Sequence, residues 1–446
     1  MSSTIIAQCT PNGSGAIALL RISGPDSFEI ADKFLKLSKD KIINKISHTI
    51  HFAKAHINNK IIDHVMVLIM QSPKTFTGEQ TVEITCHNNQ LIIESIIQEA
   101  IKFGARQALP GEFAQQAVLN KKIDFLQAES INELIHAQTP QAISQSLSQI
   151  QGSLSNIINN LQNKLLQALA LCESSFEFLD DENINFDYQI KNLIEETILE
   201  VKKLKNNNNL QKHIRQGYRV VLLGSVNAGK SSLFNALIEE EKAIVTPIAG
   251  TTRDIIESTI ILDGQAITLV DTAGLRKTKD IVESIGIKRS QEEAIKADLI
   301  LFLHEKKLIK SKSEQAIYKL ILEQFQNKLV DVLSKTDQIT EINNYFQVSV
   351  LNNTGIKELK LEITKKINNI AQINGGTYLL NKRHFHSLAS CEIYLEKALK
   401  LLNLNPAYEL IAINLNQAIQ NIGQLTGKTV THDVMDMIFR QFCVGK

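Results

Sequence analysis

The sequence predicts a multidomain α/β chain: an N-terminal α+β domain, a central all-α helical domain, and an α/β domain with a doubly wound sheet inserted into it. Three observations predict this. Val220 to Leu223 is a short apolar run that reads as a buried strand, and it leads into Gly224-Ser225-Val226-Asn227-Ala228-Gly229-Lys230-Ser231. That octet fits the phosphate-binding pattern G-x-x-x-x-G-K-[ST], and Leu233, Phe234 and Leu237 then recur at helical spacing. Residues 213 to 372 alternate strand and helix patterns, which marks a mostly parallel sheet covered on both faces. Long helical periodicities flank that stretch on both sides.

Residues 1–117 mix short strands and turns. Ala16 to Ile22 and Val65 to Met70 read as strands, and Leu91 to Phe103 reads as a helix ended by Gly104. From 118 to 212 the pattern is helical and nearly free of proline. Leu147, Ile150, Leu154, Ile157, Ile158, Leu161 and Leu165 form one apolar stripe, and Asn206 to Asn209 reads as a linker. In 213–372 the strand runs are Val220–Leu223, Ile255–Leu262, Ile267–Val270, Leu299–Leu303, Leu329–Leu333 and Phe346–Val350. Residues 373–446 are helical again, with Ala418, Ile422 and Leu425, then Val434, Met437 and Ile438, at helical spacing. Two helical blocks around an α/β unit predict an insertion, with 118–212 and 373–446 packed together.

The 446 residues exceed one ordinary domain, and 43% hydrophobic content supports packed cores. A net charge of +1 supplies no bulk field toward nucleic acid. The basic stretch Lys202, Lys203, Lys205, Lys212, Arg215 and Arg219 reads as a solvated face plus linker rather than a binding patch. Cys9, Cys86, Cys172, Cys391 and Cys443 are scattered, with neither metal-ligand spacing nor a disulfide framework, which fits a reducing cytoplasm. The sequence shows no signal peptide, and its apolar runs are too short for a membrane span, so no stable membrane insertion is expected.

A strand, a glycine turn and a helix N-terminus converge free N–H groups and the helix dipole on one point, an anion site. Lys230 adds charge for the β- and γ-phosphates, and Ser231 supplies a hydroxyl for Mg²⁺. Asp271-Thr272-Ala273-Gly274 follows the strand Ile267–Val270, placing an acidic residue for Mg²⁺ and a glycine amide for a γ-phosphate. Between them, Gly250-Thr251-Thr252-Arg253-Asp254 offers Thr252 to complete the Mg²⁺ shell. Ser334-Lys335-Thr336-Asp337 occupies the place of the guanine-reading N-K-x-D motif, with Ser334 instead of Asn. Asp337 suits the N–H donors of guanine, which adenine lacks, and Ser349-Val350-Leu351 lies where backbone can meet the base edge. The motif order selects GTP over ATP, and a Ras-like P-loop GTPase domain is the expectation.

Small GTPases carry a water-orienting Gln after the D-x-x-G glycine, and here Leu275 stands there. Asn227 is either a ligand of a monovalent cation beside the phosphates or an ordinary turn residue. Glu283 is either a residue that orients water through another water or an ordinary surface carboxylate.

Several stretches together resemble the MnmE/TrmE family of tRNA-modification GTPases. They are Leu20 to Gly24, Thr75 to Glu79, Pro110 to Phe113, Asn227 to Ser232, Ile248 to Asp254, Asp271 to Arg276, and the terminal Phe442-Cys443-Val444-Gly445-Lys446. The resemblance covers essentially the whole chain in the family's order. It implies an N-terminal domain (1–117) that dimerises and binds a tetrahydrofolate derivative, 5-formyl- or methylene-tetrahydrofolate. It also implies a helical domain (118–212 and 373–446) and an inserted G domain (213–372). It implies a flavin-containing partner of the MnmG/GidA type, in a heterotetramer or larger complex. Together they would add an aminomethyl or carboxymethylaminomethyl group to C5 of the wobble uridine of certain tRNAs, with potassium-dependent GTP hydrolysis.

Carried over by motif, K⁺ would be held by Asn227, Thr246, Ile248 and Thr251, and Mg²⁺ by Ser231 and Thr252. Glu283, Lys230 and Thr252 would act in catalysis. The nucleotide would contact Asn227, Ala228, Gly229, Lys230, Ser231, Ser232, Thr246, Pro247, Ile248, Ala249, Gly250, Thr251, Thr252, Asp271, Thr272, Ala273 and Gly274. Its base would meet Ser334, Lys335, Thr336, Asp337, Ser349, Val350 and Leu351. Arg21, Glu79, Lys122 and Lys446 would contact the folate, whose amidine-like edge suits a carboxylate and whose glutamate tail suits lysines. Cys443 is either a reactive thiol near the folate or a small apolar residue of the last helix. Two other readings are a regulatory GTPase that binds RNA or a membrane partner, and a folate-binding module timed by its G domain. Arg21, Glu79 and the Cys-x-Gly-Lys ending favour the modifying enzyme over the first.

Overall fold

Period-two alternation in the first part of the chain becomes a seven-stranded sheet in the computed structural model. The structure describes residues 3–38, 40–177, 186–206, 211–224, 227–239, 256–272, 292–304, 323–338, 346–372, 378–404 and 407–445. The chain divides into two compact units. One joins Met1–Ile135, Leu147–Lys202 and Lys382–Lys446, and the other comprises His136–Ser146 and Lys203–Asn381.

In the first unit the strands are β1 (Ile5–Gln8), β2 (Ile17–Ser23), β3 (Leu35–Leu37), β4 (Thr49–Ile57), β5 (Lys60–Met70), β6 (Thr81–His87) and β7 (Arg106–Gln107). Their order is β3-β4-β5-β6-β2-β1-β7. The β4–β5 hairpin turns through Asn58 and Asn59, both at positive φ, the conformation a two-residue hairpin turn requires. Helices Ser27–Phe34 and Gln90–Lys102 cover one face, with Leu20, Ile22, Val67, Ile84 and Ile96 buried between sheet and helices. Asn89 caps the second helix by accepting from the Leu91 N–H at 2.9 Å. On the opposite face Ile17, Ile50, Phe52 and Met66 stand exposed.

The apolar stripe from Leu147 to Leu165 is not one helix. It is divided between Pro140–Ile150 and Ser153–Glu177, broken at Gly152, whose φ is +92°. Only the second part is a long buried stripe, running through Leu154, Ile158, Leu161, Leu165, Ala168 and Cys172. That helix packs with Tyr408–Thr426, which buries Ile411, Leu415, Ala418, Ile422 and Leu425. Lys382–Leu404 packs against Tyr408–Thr426. The last helix, His432–Phe439, rests on Glu112–Leu119 through Ala114, Met435 and Phe439.

In the second unit the strands are β8 (Tyr218–Gly224), β9 (Ile256–Leu262), β10 (Gln265–Asp271), β11 (Leu299–His304), β12 (Leu329–Ser334) and β13 (Phe346–Val348). The order is β13-β12-β11-β8-β10-β9, parallel throughout except for the antiparallel β9–β10 hairpin. Its central strands are apolar on both sides. Val220, Leu222 and Leu301 pack against Leu233 and Leu237 of helix Lys230–Glu239 and Leu359 of helix Ile356–Gln372. Val221, Leu223, Ile300 and Phe302 pack on the other face with Ala294 and Ala297.

Candidate functional site

The phosphate loop begins where β8 leaves the sheet. Gly224 has φ +146°, and a Cβ there would lie 2.0 Å from the Leu303 carbonyl oxygen of β11, so only glycine fits. Asn227 and Gly229 both have positive φ, and Ala228 is buried between them. Lys230 then opens helix Lys230–Glu239. Its buried side chain donates from Nζ to the Gly224 carbonyl at 2.9 Å, holding the ammonium over the mouth of its own loop. Ser231 Oγ donates to Asp271 Oδ2 at 2.6 Å. Asp271 is buried at the end of β10 and lies opposite Leu222 of β8. Thr272 Oγ1 donates to the Leu222 carbonyl at 2.8 Å and fastens the end of β10 to β8. A hydroxyl and a carboxylate side by side are hard oxygen donors of the kind Mg²⁺ takes, so these residues fit that ion. Ser232 is exposed beside them.

At the C-terminal end of β12 the chain turns sharply at Lys335, whose φ is +57°, into the short 3-10 turn Thr336–Gln338. Asp337 is exposed there. Ser349 Oγ donates to Asp337 Oδ1 at 3.1 Å, so the loops after β12 and β13 meet at this carboxylate. Ser349 and Thr354 exchange two backbone hydrogen bonds of 3.0 Å each, which closes the second loop and leaves Val350 and Leu351 exposed. Ser334 is buried, and its Oγ donates to the His304 carbonyl at 3.1 Å. The residue that departs from the usual Asn therefore ties β12 to β11. Ser225, Val226, Thr246 to Thr252, Ala273, Gly274, Glu283 and Lys446 lie outside the described residues.

The first unit gathers a second group. Arg21 of β2 is paired with Glu83 of β6, directly opposite in register, through Nε at 2.8 Å and a terminal nitrogen at 2.7 Å. Its guanidinium lies 5.9 Å from the Phe76 ring centroid and 5.4 Å from that of Phe113. Glu79 holds its loop by backbone: its N–H donates to Thr77 Oγ1 at 3.3 Å, and its carbonyl accepts from Thr75 and Thr81 hydroxyls at 2.7 and 3.1 Å. Its Oε2 is buried with no donor. Lys122 is exposed and donates from Nζ to the Pro73 carbonyl at 2.8 Å, so it borders the same loop. Arg21, Glu79 and Lys122 are thus brought to one region of one unit.

Cys443 is exposed and lies beyond the last helix, which ends at Phe439, so it is not a small apolar residue packed within that helix. Its carbonyl accepts from the Gly111 N–H at 3.2 Å. Gly445, with φ +90°, sits where a Cβ would be 2.5 Å from the Gln8 carbonyl oxygen. The chain end therefore lies against the end of β1.

Sequence reasoning missed Glu83, the partner of Arg21. No spacing connects them until the strand register is known. It also missed the buried cluster of Glu129, Arg383 and His384. Glu129 accepts from Arg383 and from His384, each at 2.7 Å. Burial alone would raise its carboxyl pKa, but His384 and Arg383 outweigh that and hold it at about 2. Two residues of the basic stretch before the P-loop are paired locally. Lys202 pairs with Glu396 at 3.1 Å and Glu392 at 3.5 Å, and Arg219 pairs with Glu293 at 2.5 Å and Glu257 at 2.6 Å.

Comparison with known proteins places this architecture. The family described as the MnmE helical domain matches residues 125–443, and the one described as the GTP-binding protein TrmE N-terminus matches residues 4–122. The tRNA modification GTPase MnmE of Christiangramia forsetii is 35% identical over 473 residues, covering 100% of both chains. The protein of the same name from Bacillus pumilus is 36% identical over 462 residues, covering 99% of this chain and 100% of that one. The Bacillus subtilis protein is 35% identical over 465 residues, with the same coverage. This chain belongs to the MnmE family of tRNA modification GTPases.

Proposed function

We propose that this member of the family is a potassium-dependent GTP hydrolase that modifies tRNA. With a flavin-containing partner of the MnmG/GidA type it adds a carboxymethylaminomethyl or aminomethyl group to C5 of the wobble uridine of certain tRNAs. A tetrahydrofolate derivative supplies the one-carbon unit. The observation that carries this reading is the convergence of Lys230, Ser231 and Asp271 on one loop, in a chain that matches the family over its whole length.

On this reading the phosphates take the backbone N–H groups of the loop and helix start, and Lys230 exchanges the Gly224 carbonyl for phosphate oxygens. Ser231, Asp271 and Thr252 would hold Mg²⁺, which would supply charge to the phosphates. Asp337 accepts the N–H donors of guanine, beside the exposed Ser349–Leu351 turn. Leu275 cannot orient water, so Glu283 takes that task. Asn227, Thr246, Ile248 and Thr251 would hold K⁺, which would supply positive charge where other GTPases use an arginine finger.

Arg21, Glu79, Lys122 and Lys446 bind the tetrahydrofolate derivative. The buried, donorless Glu79 Oε2 supports this, because the aminopyrimidinone edge of a pterin offers two N–H donors to a carboxylate. The exposed apolar residues Ile17, Ile50, Phe52 and Met66 on one sheet face support a homodimer through the N-terminal domain.

The test is reconstitution. tRNA is incubated with the chain, the flavin-containing partner, GTP, the folate donor and glycine or ammonium as the amine, then digested and analysed by mass spectrometry. A mass increment on the wobble uridine is expected. Unmodified uridine despite active GTP hydrolysis would rule out the transfer function.

A further inference from the structure

Among the buried polar atoms of the first unit that lack a hydrogen-bond partner, Glu79 Oε2 and Gln116 Oε1 belong to the loop and the helix that carry Phe76 and Phe113 against Arg21. Gln116 is only 9% exposed. Leaving such an atom unpaired is unfavourable, because it has lost its water without gaining a donor. Two of them at one place therefore ask for a ligand that donates.

Helical geometry brings Gln116 to the site of Glu79. Helix Glu112–Leu119 puts positions 113 and 116 on one face, and Asn120 continues it, since its N–H donates to the Gln116 carbonyl at 2.9 Å. Phe113 lies against Arg21, and Asn120 Nδ2 donates to the Thr77 carbonyl at 2.7 Å. Along the helix Gln116 lies between these two anchors, three residues from Phe113 and four from Asn120. The loop is tied to β2 as well: the Thr77 and Ser23 hydroxyls lie 2.7 Å apart, and Ser23 is two residues from Arg21 on the same strand face. Arg21, Phe76 and Phe113 thus meet, and Glu79 and Gln116 belong to the loop and the helix that carry the two rings.

We propose that Gln116 is a specificity-determining contact of this site, accepting through Oε1 an N–H from the same ring that Glu79 holds. The proposal rests on the pterin reading above. Two separate acceptors need N–H donors on two edges of a flat heterocycle. Every pterin has one such edge, its aminopyrimidinone. On the other side the 2-amino group has its second N–H, and only a reduced pterin adds a ring donor there, the N–H at position 8. In the fully oxidised ring that nitrogen carries a lone pair, which would face the Gln116 oxygen. The pair of acceptors therefore selects reduced pterins.

The test is calorimetric titration of the full chain with 5-formyltetrahydrofolate, then with 7,8-dihydrofolate and folic acid, which differ at the position 8 N–H and its neighbouring carbon. The wild-type chain is expected to bind dihydrofolate about tenfold more tightly than folic acid, the value of one hydrogen bond. Gln116→Met keeps the shape, removes the acceptor and should abolish the difference. Gln116→Glu keeps an acceptor and should retain it. Melting by circular dichroism identifies a variant that fails to fold, in which case the other variant decides. No binding of 5-formyltetrahydrofolate to the wild-type chain would overturn the pterin reading itself. Binding of that compound with equal affinities for dihydrofolate and folic acid would overturn only the role of Gln116. So would a preference that survives in Gln116→Met or disappears in Gln116→Glu.

Discussion

In the P-loop unit Lys230 donates to Gly224 and Ser231 to Asp271, whereas in the N-terminal unit Glu79 and Gln116 keep buried oxygens without donors. The first site closes on itself. A nucleotide must displace those internal bonds, so its affinity has to come from charge, the triphosphate meeting the ammonium. The second site leaves its demand open. A ligand there gains by relieving acceptors already stripped of water. Satisfied groups suit a site that switches between bound states, and unsatisfied ones suit a site built around one ring.

The comparison is broken most forcefully by removing the charge at the first site. Lys230→Ala should lower steady-state GTP hydrolysis by about 10³-fold, the scale for losing a preorganised electrostatic group. A loss under tenfold would mean the loop works without its ammonium.

A third polar cluster sharpens the contrast, because it is both buried and internally satisfied. Glu129→Ala should destabilise the protein by about 3 kcal/mol, by leaving Arg383 and His384 without their carboxylate. Urea denaturation measures this. The same pair gives a pH dependence. The Glu129 pKa falls from 4.5 to about 2 on folding, so its stabilisation is full above about pH 4.5 and is lost as the pH falls toward 2. Glu129→Ala should flatten that acid limb, and an unchanged limb would assign the loss to other carboxylates.

Smaller effects probe recognition. Asp337→Asn replaces an acceptor by a donor at the base edge. It should move nucleotide preference from guanosine toward xanthosine by about 1–3 kcal/mol, read by competition between the two triphosphates. Unaltered competition would remove Asp337 from base reading. Deleting Gly445 and Lys446 should weaken folate binding about tenfold and spare GTP, because the chain end rests on β1 of the N-terminal unit. Intact folate affinity in calorimetry would exclude Lys446 from the site.

The nucleotide loop was legible because its parts are contiguous: an apolar run, a glycine turn and a helix start occupy twenty-odd residues of one strand–turn–helix unit. The strands Leu299–His304 and Leu329–Ser334 were equally readable, since buried parallel strands are unbroken apolar runs. The break at Gly152 was harder. The apolar period continues across it, and only the positive φ of the glycine separates the two helices. The N-terminal site was legible only through family resemblance. Arg21 meets Glu83 by strand register and Phe113 by packing, and neither leaves a mark in local spacing. Gln116 did leave one, a polar residue among Phe113, Ala114 and Ala117 on a buried helix face. Its significance emerged only with the missing donor.

The most direct measurement is steady-state GTP hydrolysis by the purified chain in potassium and in sodium buffers of equal ionic strength. The account predicts strong activation by potassium, because Leu275 stands where a water-orienting Gln would be and Asn227 lies at the phosphate loop. Equal rates in the two salts would contradict it.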